Sequence, residues 1–189
     1  MQWTLPNLIS LFRIVAAPFL LLTAWMGMET LFKTLFLLML LSDALDGIVA
    51  RALHQTSALG ARLDSYGDML TYLATPLAVW WLWPQIILQE RVYIITALAL
   101  YILPAFFALV KFGKLASYHT YLTKFSALLM SLGVVLLIFM ADASLFHLAL
   151  WFLALETAEN IAITLILPRQ QTDIHSIWHA LHAKKNQKG

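Results

Sequence analysis

Four of the chain's ten acidic residues fall within residues 43–68, in the segment DALDGIVARALHQTSALGARLDSYGD. Asp43 and Asp46 are spaced i, i+3, and Asp64 and Asp68 are spaced i, i+4. On helices each pair therefore shares one face. Carboxylates gathered in apolar surroundings are costly: a charged side chain at the centre of a membrane helix costs about 2.5–3.5 kcal/mol on insertion scales. Arg51 and Arg62 are close in sequence, but two arginines set against four carboxylates leave net negative charge. Hard divalent ions held by oxygen ligands are the natural compensation. Gly47 and Ala50 lie about one turn along from the first pair, and Gly60 lies one turn before Asp64. These small residues clear the shared face for something bulkier than an ion. Arg51 adds a forked donor suited to phosphate oxygens. Carboxylates, a cleared face and an arginine suit a metal-bound pyrophosphate better than a permeating ion.

The elements that must position these residues follow from composition. The chain has 189 residues, 61% of them hydrophobic and 12% charged, with a mean hydropathy of +0.79. Soluble domains average about 45–50% apolar and about 25% charged residues, so this chain has too little polar surface to cover a globule. It reads as an all-α integral membrane protein. The absence of Cys excludes a disulfide framework, a thiolate nucleophile and a Cys-ligated zinc. The net charge of +2 comes from basic residues scattered along a hydrophobic chain, a poor nucleic-acid stripe.

A bilayer core about 30 Å thick needs about 20 apolar residues. Six stretches qualify: 7–26, 31–54, 61–83, 91–112, 120–140 and 145–167. The breaks between them fall at Gly27 with Glu29, Gly60, Trp83-Pro84 with Glu90-Arg91, Gly113 and Asp142, and Pro168 closes the last span. The expectation is one domain over 1–189, a bundle of six transmembrane helices. The first run lacks a basic leader region and a small-residue cleavage site, so it reads as a retained span. Nine of the twelve Lys and Arg residues fall on the side shared by the termini and the 2–3 and 4–5 connections. Both termini, and with them the acidic cluster, are thus expected at the cytoplasmic face. In the tail, 168–189, Ile174, Ile177, Trp178 and Leu181 recur at helical spacing, which predicts a short interfacial helix on the membrane lipid. His175, His179 and His182 share its polar face without a completing metal ligand.

At the acidic segment the sequence resembles the CDP-alcohol phosphotransferase family, class I, whose signature is D-x2-D-G-x2-A-R-x8-G-x3-D-x3-D. Asp43, Asp46, Gly47, Ala50, Arg51, Gly60, Asp64 and Asp68 match it at every spacing. A chance match to eight fixed residues has a probability on the order of 10⁻¹⁰ per start position. Asn7, Arg13 and Pro18 in PNLISLFRIVAAP look like the family's usual opening. The resemblance implies a phospholipid-synthesis enzyme of the cytoplasmic membrane. It would transfer a phosphatidyl group from CDP-diacylglycerol, or a similar CDP-alcohol, to a small hydroxylated acceptor, with release of CMP. It also implies two divalent ions (Mg²⁺ or Mn²⁺), with Asp43, Asp46 and Asp64 as principal ligands. Asp68 becomes the general base with a share in the metal site, Gly47, Ala50, Arg51 and Gly60 hold the CDP portion, and the protein is a homodimer.

For the acceptor, glycerol 3-phosphate or another polar alcohol, the sequence offers less. Bacterial phosphatidylglycerophosphate synthases of the family carry an arginine in span four and G-K-x-K-T at the start of span five. This chain has YILPAFFALVKFG and HTYLTKFSALL, with Lys124 at the first lysine and Ser126 where a second would fall. Lys124 is the candidate for a phosphorylated acceptor. Glu156 and Glu159, i, i+3 in span six, either serve the acceptor or pair with Lys124 or Arg13. His54 and His119 read as loop residues, and the Trp80, Trp81, Trp83 cluster as an interfacial belt. Two rival readings are a divalent-cation channel or transporter and a non-catalytic scaffold of the same fold. Against the first, the outer halves of spans two and three are almost wholly apolar. Against the second, no signature residue is missing.

Overall fold

The computed structural model describes residues 4–53, 55, 57–114, 118, 120–167, 174 and 176–186. The side chains of Arg51, His182, Lys184 and Lys185 lie outside the described residues, as do His54, His119, Pro168, Arg169, His175 and Lys188. Every described element is a helix. The helices are α1 (Leu5–Trp25), α2 (Glu29–Ala52), α3 (Ala58–Leu82), α4 (Pro84–Phe112), α5 (Tyr121–Met140), α6 (Ser144–Ile166) and α7 (Ile177–Asn186). Of these α1, α4, α5 and α6 are long and apolar enough to cross a membrane. In α2 and α3 the aspartates interrupt the apolar run, so six spans form part of the proposal below.

The break expected at Trp83–Pro84 holds, but its extent, and the position of the break at Gly60, are corrected. Residues 84–90 extend α4 rather than precede it, because Pro84 occupies the first helical position, where a missing N–H loses nothing. Glu90 and Arg91 are good helix formers that mark a change of polarity, not a helix end. Gly60 is likewise inside α3: its N–H donates to the Ser57 Oγ cap at 3.0 Å. The turn at Gly27 does hold, and its φ of +70° is a conformation glycine adopts without steric cost.

The chain divides into two compact units, Met1–Gln89 and Glu90–Gly189. In the first, α1 packs on both α2 and α3. Its buried stripe runs through Asn7, Ser10, Arg13, Ala16, Ala17, Leu20, Thr23 and Ala24, the three- and four-residue steps of one helix face. This stripe is polar over its first two turns and mostly small or apolar beyond. At the apolar end Trp25 meets Trp81 edge-on at 5.3 Å, Trp83 meets Phe32 at 5.7 Å, and Lys33 Nζ lies 4.9 Å over the Trp83 ring. An aromatic and cationic girdle of this kind is what a membrane boundary favours. The polar end of the stripe faces the aspartate-bearing ends of α2 and α3.

In the second unit α5 packs tightly on α6. A Cβ on Gly133 would lie 2.8 Å from the backbone N and Cα of Phe146, so only glycine permits this approach. Asp142 Oδ1 accepts the Ser144 N–H at 2.8 Å at the start of α6. That backbone hydrogen bond holds the Asp142 carboxyl below its ordinary value. The interfacial expectation for the tail is modified: α7 begins at Ile177, and Ile174 and Ala180 are buried against Tyr118, Ile163 and Leu167. The tail's apolar side therefore packs largely on protein, while Trp178 and Leu181 stay exposed.

Because Phe146 meets Gly133 through backbone, relief requires a shift of a whole helix. Gly133→Ala is expected to destabilise the protein by about 1–3 kcal/mol. Denaturant titration in detergent, followed by circular dichroism, measures this; an unchanged midpoint would disprove the close approach.

Candidate metal centre

The site lies in the first unit. Asp43 and Asp46 lie one turn apart on α2, and Asp64 and Asp68 lie one turn apart on α3, as their spacing predicts. The two pairs converge, and at their centre is the guanidinium of Arg13 from α1. Its Nη1 donates to Asp43 Oδ1 and to Asp68 Oδ1 at 2.6 Å. Its Nη2 donates to Asp46 Oδ2 at 2.6 Å and to Asp64 Oδ1 at 2.6 Å. A guanidinium has five N–H groups, four of them on the two terminal nitrogens. All four terminal N–H groups are thus matched to carboxylates, one oxygen from each aspartate, while the buried Nε has no hydrogen-bond partner.

Local sequence makes room for this. A Cβ on Gly67 would lie 3.3 Å from Arg13 Cβ and 3.3 Å from Arg13 Nε, so the absent side chain is what seats the arginine. A Cβ on Gly60 would lie 2.7 Å from Asn7 Oδ1, so this glycine admits the first turns of α1. Ser10 Oγ donates to Asp46 Oδ2 at 3.0 Å, fixing the most buried of the four carboxylates. Asp43, Asp64 and Asp68 are more open, with side chains 44%, 36% and 36% exposed.

The donor set fits divalent ions. Asp43, Asp64 and Asp68 each offer an oxygen, all within 4.8 Å of one another, and hard cations favour such carboxylate oxygens. Ionised, four carboxylates against one guanidinium leave a charge of −3 (−4 + 1) in a partly buried site. Arg13 also engages only one oxygen of each carboxylate, which leaves the second for a metal.

Arg51 and Arg62 are the arginines nearest in sequence to the aspartates, yet the described partner of all four is Arg13. Arg62 is exposed and joins no described ion pair, and the Arg51 side chain is outside the described residues. Arg13, Ser10 and Gly67 are the residues the motif did not flag. The available signal was a lone arginine in an apolar span, which demands a counter-charge. Gly47 and Ala50 are half-buried on α2, following the aspartates.

The other expected site residues belong to the second unit. Glu156 accepts a long hydrogen bond from Asn160 Nδ2 at 3.4 Å. Glu159 Oε1 accepts the Ile177 N–H at 3.3 Å and so anchors the start of α7. Among the described residues neither pairs with Lys124, which is exposed on α5, nor with Arg13, whose terminal N–H groups the aspartates occupy. Ser126 of α5 is fully buried, and its hydroxyl and that of Thr123 lie against the Glu156 carboxyl.

These helices and this acidic centre are those of a membrane-bound CDP-alcohol phosphotransferase, and a family profile described as CDP-alcohol phosphatidyltransferase matches residues 3–158. The chain belongs to this family. Among individual relatives, it is 33% identical over 110 residues to the CDP-diacylglycerol–glycerol-3-phosphate 3-phosphatidyltransferase of Salmonella choleraesuis (strain SC-B67), covering 52% of the chain and 59% of the relative. The enzyme of the same name from Haemophilus influenzae (strain ATCC 51907 / DSM 11121 / KW20 / Rd) is 29% identical over 108 residues, covering 52% of the chain and 58% of the relative. The first such enzyme of Arabidopsis thaliana, chloroplastic/mitochondrial, is 38% identical over 76 residues, covering 38% of the chain and 25% of the relative. The matched region thus spans less than two thirds of each relative. No solved structure matches the chain.

If the aspartates are the ligands, Asp43→Ala and Asp64→Ala should each weaken Mn²⁺ binding at least tenfold, while Glu156→Gln leaves it unchanged. Titration of Mn²⁺ followed by electron paramagnetic resonance measures both; equal loss in Glu156→Gln would place the site boundary elsewhere.

Proposed function

We propose that the protein transfers a phosphatidyl group from CDP-diacylglycerol to a small hydroxylated acceptor, releasing CMP, at a divalent-metal centre built by α2 and α3. The observation that carries this reading is the convergence of four signature aspartates into one site with excess negative charge. Asp43, Asp46, Asp64 and Asp68 would hold Mg²⁺ or Mn²⁺. Such ions stabilise charge on the oxygens of a transferring phosphoryl group.

The chain's own residues account for the remaining requirements. Asp68 takes the proton of the acceptor hydroxyl, whose oxygen then bonds to the phosphatidyl phosphorus. The bond from that phosphorus to the bridging oxygen breaks, and CMP leaves with that oxygen. Asp68 suits the role because its carboxylate is partly open and lies on α3 one turn beyond Asp64. Gly47, Ala50, Arg51 and Gly60 are assigned to the CDP portion on the family signature. Glycerol 3-phosphate is the first acceptor to try, because the similar enzymes named above act on it. Lys124, Glu156 and Glu159 are assigned to the acceptor on sequence grounds. Of the three, Glu159 has a structural task as well, at the start of α7.

The cellular setting belongs to the same proposal: an inner-membrane protein with six spans, both termini and the aspartates on the cytoplasmic side, and two copies forming a homodimer. Lys and Arg asymmetry supports the orientation. Light scattering of the solubilised protein tests the dimer, and a monomer mass would remove it from the proposal.

Release of CMP from CDP-diacylglycerol in detergent micelles, with a panel of acceptors, tests the activity. Mg²⁺-dependent release is expected with glycerol 3-phosphate or another polar alcohol. Asp68→Asn should lower the rate by about 10²–10⁴-fold, the usual contribution of a general base. Lys124→Ala should raise KM for a phosphorylated acceptor roughly tenfold, with KM for the CDP-lipid unchanged. No release with any acceptor, or full activity in Asp68→Asn, would refute the mechanism.

A further inference from the structure

We propose that Arg13 is the resident counter-cation of the aspartate centre: it holds the four carboxylates together before divalent ions load, and it opposes those ions for the same charge. The inference concerns how this chain's own arginine acts toward the metals, and it rests on the reading of the aspartates as metal ligands.

The arginine is built into the site. Its residue is 1% exposed and sits on α1, the helix packed on both aspartate-bearing helices. The terminal nitrogens contribute four donors to four different carboxylates, so one side chain crosslinks α1 to both α2 and α3. Gly67 leaves the space that the guanidinium stem fills. The fifth donor, Nε, is buried without an acceptor. A planar fork satisfies several carboxylates at once in a way a lysine does not.

From this arrangement follow two opposing effects on metal binding. Drawing the carboxylates together pre-forms the donor set, which favours metals. The fixed positive charge among the same carboxylates repels a divalent ion, which disfavours them. The repulsion scales with the product of the charges and acts at short range in a medium of reduced dielectric constant. Ordering gains, by contrast, are limited to a few side chains whose helices already constrain them. Repulsion therefore dominates, and removal of the charge should tighten metal binding while weakening the metal-free protein. A residue that merely braced the fold would shift both in the same direction.

The test uses full-length protein in detergent, with Mn²⁺ alone as probe, read by electron paramagnetic resonance and by thermal melting in EDTA. Arg13→Gln is expected to bind Mn²⁺ at least tenfold more tightly than the unsubstituted chain, yet to melt at a lower temperature in EDTA. Its stabilisation by saturating Mn²⁺ should be the larger of the two. Arg13→Lys keeps one charge but loses the fork, and should fall between them on both measures. If Arg13→Gln does not fold in EDTA, the Lys variant decides: severalfold tighter Mn²⁺ binding with a lower EDTA melting temperature supports the proposal. Unchanged or weaker Mn²⁺ binding in the folded variants overturns it. Failure of CMP release by the unsubstituted protein would strike the transferase reading instead, since neither measurement here depends on turnover.

Discussion

The ion network between one guanidinium and four carboxylates is the constraint around which the first unit is arranged. Four aspartates in a low-dielectric bundle are tolerable only with positive charge among them. Arg13 supplies some of it from inside the fold. The polar start of the α1 stripe, the glycines at 60 and 67, and the hydroxyl of Ser10 all follow from bringing that side chain to the α2 and α3 ends. Since the arginine balances only one of four negative charges, the centre retains a demand for cations. That residual demand links the packing of three helices to the phosphoryl-transfer chemistry proposed for the protein.

The two ends of the first unit divide the physical work. At one end, charge and hydrogen bonds position the acidic centre; at the other, Trp25, Trp81, Trp83, Phe32 and Lys33 form an amphipathic rim. Between them the stripe through Ala16, Ala17, Leu20 and Ala24 lets helices approach closely where lipid offers little hydrophobic drive for association. Small residues provide the packing, and the aspartates with Arg13 fix the register.

Much of this was legible in the amino-acid order. Hydropathy located every long helix, because a membrane protein has few ways other than helices to satisfy its backbone. The i, i+3 and i, i+4 spacings placed both carboxylate pairs on shared faces, and the signature spacing identified the family. What escaped were features that depend on contacts between distant residues. Arg13 is thirty residues before Asp43 in sequence, so its partnership could not be read from local spacing, and Arg51 and Arg62 looked nearer. Gly67 sits inside the D-x3-D element at a variable position, and its purpose appears only once the Arg13 stem is beside it. The start of α4 was missed because charged residues 90–91 signal a polarity boundary, whereas helix continuity depends on backbone preference and on Pro84. The docking of Ile174 and Ala180 was hidden because an apolar face reads the same whether it meets lipid or protein.

The length of α4 has a consequence of its own. At 29 residues it is about 43 Å long, against a hydrocarbon layer of about 30 Å. Such mismatch is relieved by inclination of the helix axis, local thickening of the lipid, or extension of one end among the headgroups. Near its start Arg91 is exposed, a charge suited to headgroups, while Glu90 is held by His147 of α6 at 2.6 Å. The energy of that first segment of α4 would therefore vary with bilayer thickness.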